Sequence, residues 1–306
     1  MNLHESKEIF GQYIMAAADF MGLSDAGIIE KDYFVTLFLK KIAEKQPNII
    51  FKGGTSLSKC YKLINRFSED IDLNVHTESG RPTEGQRKKL KENITTIIDS
   101  LRFNLVNPEQ VRIRRDFNRY VVDYMSDSAN SFLKKYLIIE TAVSIKSFPT
   151  ETMSAASFVY DFLTANSADG EITKYELEPF KVQVQSIERT FIDKVFAVGD
   201  YYLNGQAENH SRHVYDLYKI YPAIIFDDAF KRLVEEVREV RKPHTTCYSA
   251  KDSVNLQELL KKIIDESYYK SDYNRVTEAL LFETVAYTEA ATVLHQIIES
   301  RWFSEK

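Results

Sequence analysis

Two neighbouring stretches constrain this chain more than any others: Asn48-Ile49-Ile50-Phe51-Lys52-Gly53-Gly54-Thr55-Ser56-Leu57-Ser58-Lys59, and Arg66-Phe67-Ser68-Glu69-Asp70-Ile71-Asp72-Leu73 close behind it. Residues 48–51 form a short apolar run of strand type, and Gly53-Gly54 ends it with backbone freedom that other residues lack. Thr55 or Ser56 is placed to cap a helix running to about residue 64. The first N–H groups of that helix, with the glycine amides before it, form a seat for phosphate. Asp70 and Asp72 then alternate with Ile71 and Leu73. Residues two apart on a strand share a face, with Cα atoms roughly 6.5 Å apart, so both carboxylates point one way and the aliphatic side chains the other. Carboxylates converging on a phosphate seat repel one another without a cation. Magnesium, with manganese as the alternative, and a nucleoside triphosphate suit such a set of oxygens.

Composition narrows the setting. Of 306 residues, 44% are hydrophobic and 28% charged, as expected for a globular chain with ample core. No apolar run reaches the roughly 20 residues of a membrane helix, and the N-terminus lacks the basic and apolar segments of a secretory signal. No membrane association is expected, and the expected compartment is the cytoplasm. Cys60 and Cys247 suggest no disulfide framework, and no Cys/His spacing suggests zinc. A net charge of −5 argues against a broad nucleic-acid coat but not against a local basic groove.

Helical periodicity predicts helices over 4–20, 24–45 and 82–101. Glu30-Lys31-Asp32-Tyr33 reads as a solvated turn of the second helix. Short alternating runs at 102–106, 110–116, 119–124 and 136–145 read as strands, with 110–116 and 119–124 paired around Asp116-Phe117-Asn118. Residues 147–180 read as irregular and 180–185 as a strand. Helices are then expected over 187–202, 207–220, 223–240, 255–269 and 273–300. The division expected is 1–185, a mixed α/β (α+β) core with N-terminal helices, followed by 186–306, a helical domain completing the active site. Glu140, on an apolar strand, is costly unless paired or metal-bound. Two basic runs, at 87–91 and at Arg238, Arg241, Lys242 and His244, are solvated faces or places for an RNA backbone.

A GG-[ST] turn and helix followed by a D-x-D strand resembles the polymerase-β-type nucleotidyltransferases. The longer string FKGGTSLSK…RFSEDIDL is similar to the AbiEii/AbiGii toxin family, the nucleotidyltransferase-like toxins of bacterial abortive-infection and type IV toxin–antitoxin systems. The resemblance spans roughly residues 30–220. It implies that Asp70 and Asp72 hold metal, with Glu140 as third ligand or general base, an outward edge position or a salt bridge being its plainer role. It implies that Gly53, Gly54, Thr55 and Ser56, flanked by Lys52, bind the triphosphate; Lys59, which also flanks the turn, reads more simply as a solvated helix residue. Ser186–Ala197 resembles the family's E…K[LV]xA helix and puts Lys194 on the triphosphate. His210–Tyr218 resembles R-D-x-[YF]-D-L, retaining Arg212 and Asp216 but carrying His213 at the first acidic position. The implied activity is transfer of a nucleoside monophosphate from NTP to RNA, the 3′ end of tRNA in particular, in a toxin with a separate DNA-binding antitoxin. Nucleotidylylation of a protein hydroxyl and a non-catalytic nucleotide-binding module are the alternatives.

Overall fold

The computed structural model describes residues 1–68, 70–77, 80–124 and 135–303; Glu69 of the second motif lies outside them. The chain divides into two compact units, one of residues 1–60 and 69–184 and one of 61–68 and 185–306.

The first unit is built on a seven-stranded mixed sheet. Its elements run α1 (Lys7–Met21), α2 (Gly27–Lys45), β1 (Ile49–Lys52), α3 (Gly53–Lys59), β2 (Asp70–Val75), α4 (Glu84–Ser100), β3 (Asn104–Leu105), β4 (Phe117–Asp123), β5 (Tyr136–Ala142), β6 (Thr150–Ala155), α5 (Phe158–Ala165), α6 (Asp169–Lys174) and β7 (Phe180–Gln185). The strand order is β3-β4-β5-β2-β1-β7-β6. β1 pairs antiparallel with β2 and parallel with β7; β2 pairs parallel with β5, and β4 antiparallel with β3 and β5. β2 alternates as read: Ile71 and Leu73 are buried, whereas Asp70 and Asp72 are half-exposed.

α2 is apolar almost all round, with Ile28, Ile29, Tyr33, Phe34, Val35, Phe38, Leu39 and Ile42 buried, the pattern of a helix enclosed by its neighbours. Glu30, Lys31 and Asp32 are buried there too, so the turn they form is not a solvated one. Asp32 accepts from Lys59 Nζ of α3 at 2.5 Å and from the Phe158 N–H at the start of α5 at 2.8 Å. Lys59, also bonded to Thr36 at 2.6 Å, is therefore not the solvated residue its position suggested.

Three further expectations change. Residues 111–116 form a turn rather than a strand: the Asn118 side chain takes both the N–H and the carbonyl of Arg112, and β3 already pairs with the Val122–Asp123 end of β4. The stretch 147–180 contains β6, α5 and α6, with Ser157 capping α5 through the Tyr160 N–H. α3 ends at Lys59, short of residue 64.

The second unit is helical: α7 (Ile187–Leu203), α8 (Arg212–Ile220), α9 (Asp228–Arg241), α10 (Leu256–Asp265), α11 (Lys270–Asp272), α12 (Tyr287–Ala290) and α13 (Thr292–Ser300). α7 is its axis, buried through Phe191, Ile192, Val195, Phe196 and Val198. At Gly199 a β-carbon would lie 2.8 Å from Ser249 Cβ, so α7 and the turn at Tyr248–Ala250 touch backbone to side chain. The single helix expected over 273–300 is broken. Tyr273–Thr277 is a π-turn, and residues 280–282 are drawn out to bond Phe67 and Asn65 through Phe67 N–H to Leu280 O and Phe282 N–H to Asn65 O. That pairing places 61–68 in this unit. The basic run at 238–244, read as a solvated face or a place for an RNA backbone, is engaged internally: Arg241 bonds Asp193 at 3.0 Å and Asp200 at 2.7 Å, Lys242 bonds Glu239 and Asp252, and Arg238 donates to the Phe303 carbonyl. Among the described residues no helix is long and apolar enough to cross a membrane.

Removing one member of a buried ion pair strands the other. Asp32→Ala should lower stability by about 3–5 kcal/mol, read as a lower urea midpoint at unchanged slope. An unchanged midpoint would show that Asp32 and Lys59 do not hold α3 to α2.

Candidate active site

In the first unit the site is assembled by sheet register. Lys52 lies opposite Asp72, Asp72 beside Glu140, and Glu140 opposite Arg119, so one row crosses β1, β2, β5 and β4 on a single face. Strands lie about 4.8 Å apart, which sets the Asp72 and Glu140 carboxylates side by side. Arg119 Nε stands 3.6 Å from Glu140 Oε1, so Glu140 makes the salt bridge that was its plainer expected role. Asp70 is registered with Ile138, one step further along the same face.

The glycine turn meets this row directly. Gly53 has φ +80°, and a β-carbon there would fall 2.0 Å from Asp72 Oδ2 and 2.9 Å from its Cγ. The carboxylate occupies the place of a side chain, so residue 53 must be glycine both for its backbone and for the space. Thr55 and Ser56 do not cap the helix, which starts at Gly53 with Lys52 in the cap position. Instead Thr55 Oγ1 donates to the Asp70 carbonyl at 2.5 Å and Ser56 Oγ to the Gly53 carbonyl at 2.8 Å, tying the turn to β2.

Whether these residues fit a divalent cation rests on their donor chemistry. Asp70, Asp72 and Glu140 offer oxygen alone, the choice of a hard ion, and the like charges of Asp72 and Glu140 are neighbours by register. Among the described residues no three His, Cys, Asp or Glu side chains are already gathered around one point. The donor set suits the ion, and its side chains would close on it.

The second unit carries the remaining motif residues. Asp216, on α8, is fully buried. Arg66 meets it with both arms, Nε to Oδ1 at 2.7 Å and Nη2 to Oδ2 at 2.8 Å, and Lys194 Nζ of α7 donates to Oδ2 at 2.6 Å. Burial alone would raise the Asp216 pKa, but Arg66 and Lys194 outweigh it and hold the carboxyl far below its ordinary range. Burial, with Arg66 and Arg212 close by, presses the Lys194 ammonium the other way, below its ordinary value. Two cations thus share one carboxylate. Arg66 was quoted within the second motif without a role; the only signal in the sequence was an arginine just ahead of the paired aspartates. His213 is half-buried and stacks in parallel with Tyr201 at 5.6 Å; His210 stacks on the same ring at 3.4 Å. Burial, then Lys194 and Arg212, push the His213 pKa well below its ordinary value, and burial with Arg212 lowers that of His210.

The sequence pattern of the nucleotidyl transferase AbiEii toxin family, of type IV toxin–antitoxin systems, matches residues 37–294. No curated protein matches the chain in sequence. Among solved structures the chain is similar to MenT4, the nucleotidyltransferase toxin Rv2826c of Mycobacterium tuberculosis H37Rv, at 17% identity and a TM-score of 0.60, over 95% of this chain and 93% of that one.

The histidines make stability fall with acid. Burial disfavours the charged form of both in the folded chain, while the unfolded chain takes up protons near pH 6.5, so this stability is complete well above pH 6.5 and declines as pH falls through it. The Tm should hold level above that pH and drop from about pH 6.5 to 5, with His213→Gln showing a shallower drop; an equally steep drop in that variant would exclude His213 as a source.

Proposed function

We propose, from the premise that this chain belongs to the AbiEii nucleotidyl transferase toxin family of type IV toxin–antitoxin systems, that it transfers a nucleoside monophosphate from NTP to the 3′ end of an RNA, that of tRNA in particular. The observation that carries this reading is the Asp72 carboxylate seated on Gly53 with Glu140 beside it in register. It brings together a turn with two half-buried glycines and a pair of acidic side chains, and little else in the first unit calls for such a costly arrangement.

In the reaction, the acceptor hydroxyl oxygen bonds to the α-phosphorus of NTP. The bond from that phosphorus to the bridging oxygen breaks, and pyrophosphate leaves with the electron pair. Asp70 and Asp72, with Glu140 as third oxygen donor, would hold the divalent cation, magnesium in preference and manganese as substitute. When bound, the ion supplies positive charge against the oxygens of the transferring phosphoryl group. Gly53 and Gly54 present their amides to the triphosphate, with Thr55 and Ser56 fixing the turn and Lys52 adding charge at its edge. Glu140, where not engaged as a ligand, takes the acceptor proton. Lys194 and Arg212 neutralise phosphate charge, as the family motifs imply, and Asp216 acts through the cations it orients. The protein works in the cytoplasm, where NTP and tRNA are found. Modified RNA arrests growth and aborts phage infection, and a separate DNA-binding antitoxin restrains the enzyme.

The test is label transfer. The protein and its Asp72→Ala variant are incubated with each α-labelled NTP, magnesium, and tRNA or a protein extract. Label on RNA, lost by at least about a thousandfold in the variant, is the expected result. Label on a protein band instead would move the acceptor to a protein hydroxyl; nucleotide binding without transfer would leave a regulatory module.

A further inference from the structure

The turn at 111–116 and the open face of β4 beside Glu140 have no part in the chemistry above. Arg112, Arg114 and Arg115 are all exposed, yet the turn that carries them is firmly held. Asn118, buried on the opposite face of β4, accepts from the Arg112 N–H at 2.8 Å and donates to the Arg112 carbonyl at 3.0 Å. From α4, Lys91 donates to the Val111 carbonyl at 2.8 Å, and Arg87 Nη1 pairs with Asp116 at 2.7 Å. The basic run on α4 is thus partly an anchor, and the arginines displayed to solvent are those of the turn.

The turn leads straight into Phe117, which is 50% exposed. Phe117 shares the face of Arg119, and Arg119 is registered with Glu140. Phe117 and Arg119 are two residues of strand apart, about 7 Å, and Glu140 lies across from Arg119 on the next strand, about 4.8 Å away. Along this short path lie an exposed ring, an arginine plane and a fixed set of positive charges, on a protein whose net charge is −5. Glu140, 3.6 Å from Arg119, Asp123 further along the same face of β4, Glu84, 3.5 Å from Arg114, and Asp116, bound by Arg81 and Arg87, are acidic groups beside it.

We infer that this surface, Phe117 and Arg119 with the arginine turn, is the platform on which the acceptor lies, and that its occupant is the single-stranded 3′ segment of an RNA. Charge complementarity favours a phosphodiester backbone, and an exposed ring flanked by arginine is what an unpaired base stacks on whatever its sequence. A folded protein acceptor would need a larger apolar patch than one phenylalanine supplies. The inference rests on the nucleotidyltransferase reading for its acceptor, but the surface can be tested apart from it.

The probe is a short fluorescein-labelled single-stranded oligoribonucleotide, its binding followed by anisotropy, with Phe117→Ala and the double variant R112E/R114E compared with the intact chain. These side chains are exposed, and circular dichroism checks that the fold is kept. Kd should rise about fivefold or more for Phe117→Ala and at least about tenfold for R112E/R114E. The double variant should also show a slope of log Kd against log salt smaller by about 0.7 for each phosphate that it no longer neutralises. In label transfer, KM for RNA should rise while KM for NTP and kcat at saturating RNA stay unchanged. Binding and RNA KM equal to those of the intact chain would overturn the platform and leave the transferase reading standing. Loss of oligonucleotide binding in the variants, with no RNA labelled by the intact chain, would do the reverse. Variants that impair labelling of a protein acceptor but bind RNA normally would assign the surface to protein.

Discussion

The carboxylate of Asp72 lies where a β-carbon would lie at residue 53. That contact decides the identity of the turn residue, brings β2 against the start of α3, and through the β2–β5 register determines which residue of the next strand becomes the neighbouring acid. Because strand side chains alternate strictly, a shift of one residue between β2 and β5 would bring Ile139 beside Asp72 and send Glu140 into the core. The Thr55 bond to the Asp70 carbonyl fixes α3 on β2 from the helix side. The site is therefore a property of register as much as of side-chain type.

Both units use buried ionic contacts as fasteners rather than as sources of net stability. Lys59 joins α3 to α2, Arg66 and Lys194 join the 61–68 segment and α7 to α8, and Arg241 joins α9 to α7 through Asp193 and Asp200. An apolar trio of the same volume would cost less to bury. What ions contribute is direction: a forked guanidinium on a carboxylate fixes angles that methyl groups leave loose. At Asp216 this has a chemical side. Arg66 and Lys194 share a single negative charge, so the cluster carries surplus positive charge, and any anion bound close by would relieve it.

Local signals were clear where one residue pattern had one use. The alternation of Asp70-Ile71-Asp72-Leu73, the strand at 180–185 and the helix from 187 each stand in the structure nearly as read. Val111-Arg112-Ile113-Arg114 also alternates, but a strand needs free backbone groups, and the Asn118 side chain takes both of those of Arg112. The break of the expected 273–300 helix has no glycine or proline behind it. Its cause is pairing with residues more than two hundred positions earlier, which sequence periodicity does not register. The buried roles of Lys59, Arg66 and Asp32 were hidden for a related reason: a charged residue on an amphipathic turn looks solvated until the tertiary partner that neutralises it is known.

β1 ends on Lys52 and α3 begins on Gly53 with no residue between them. Adding or removing a single residue at that joint would turn the helix by about 100° about its axis and exchange the faces of the strand. The joint is an elbow without slack. A ligand received by its amides finds them already ordered and loses little conformational freedom in the backbone that holds it.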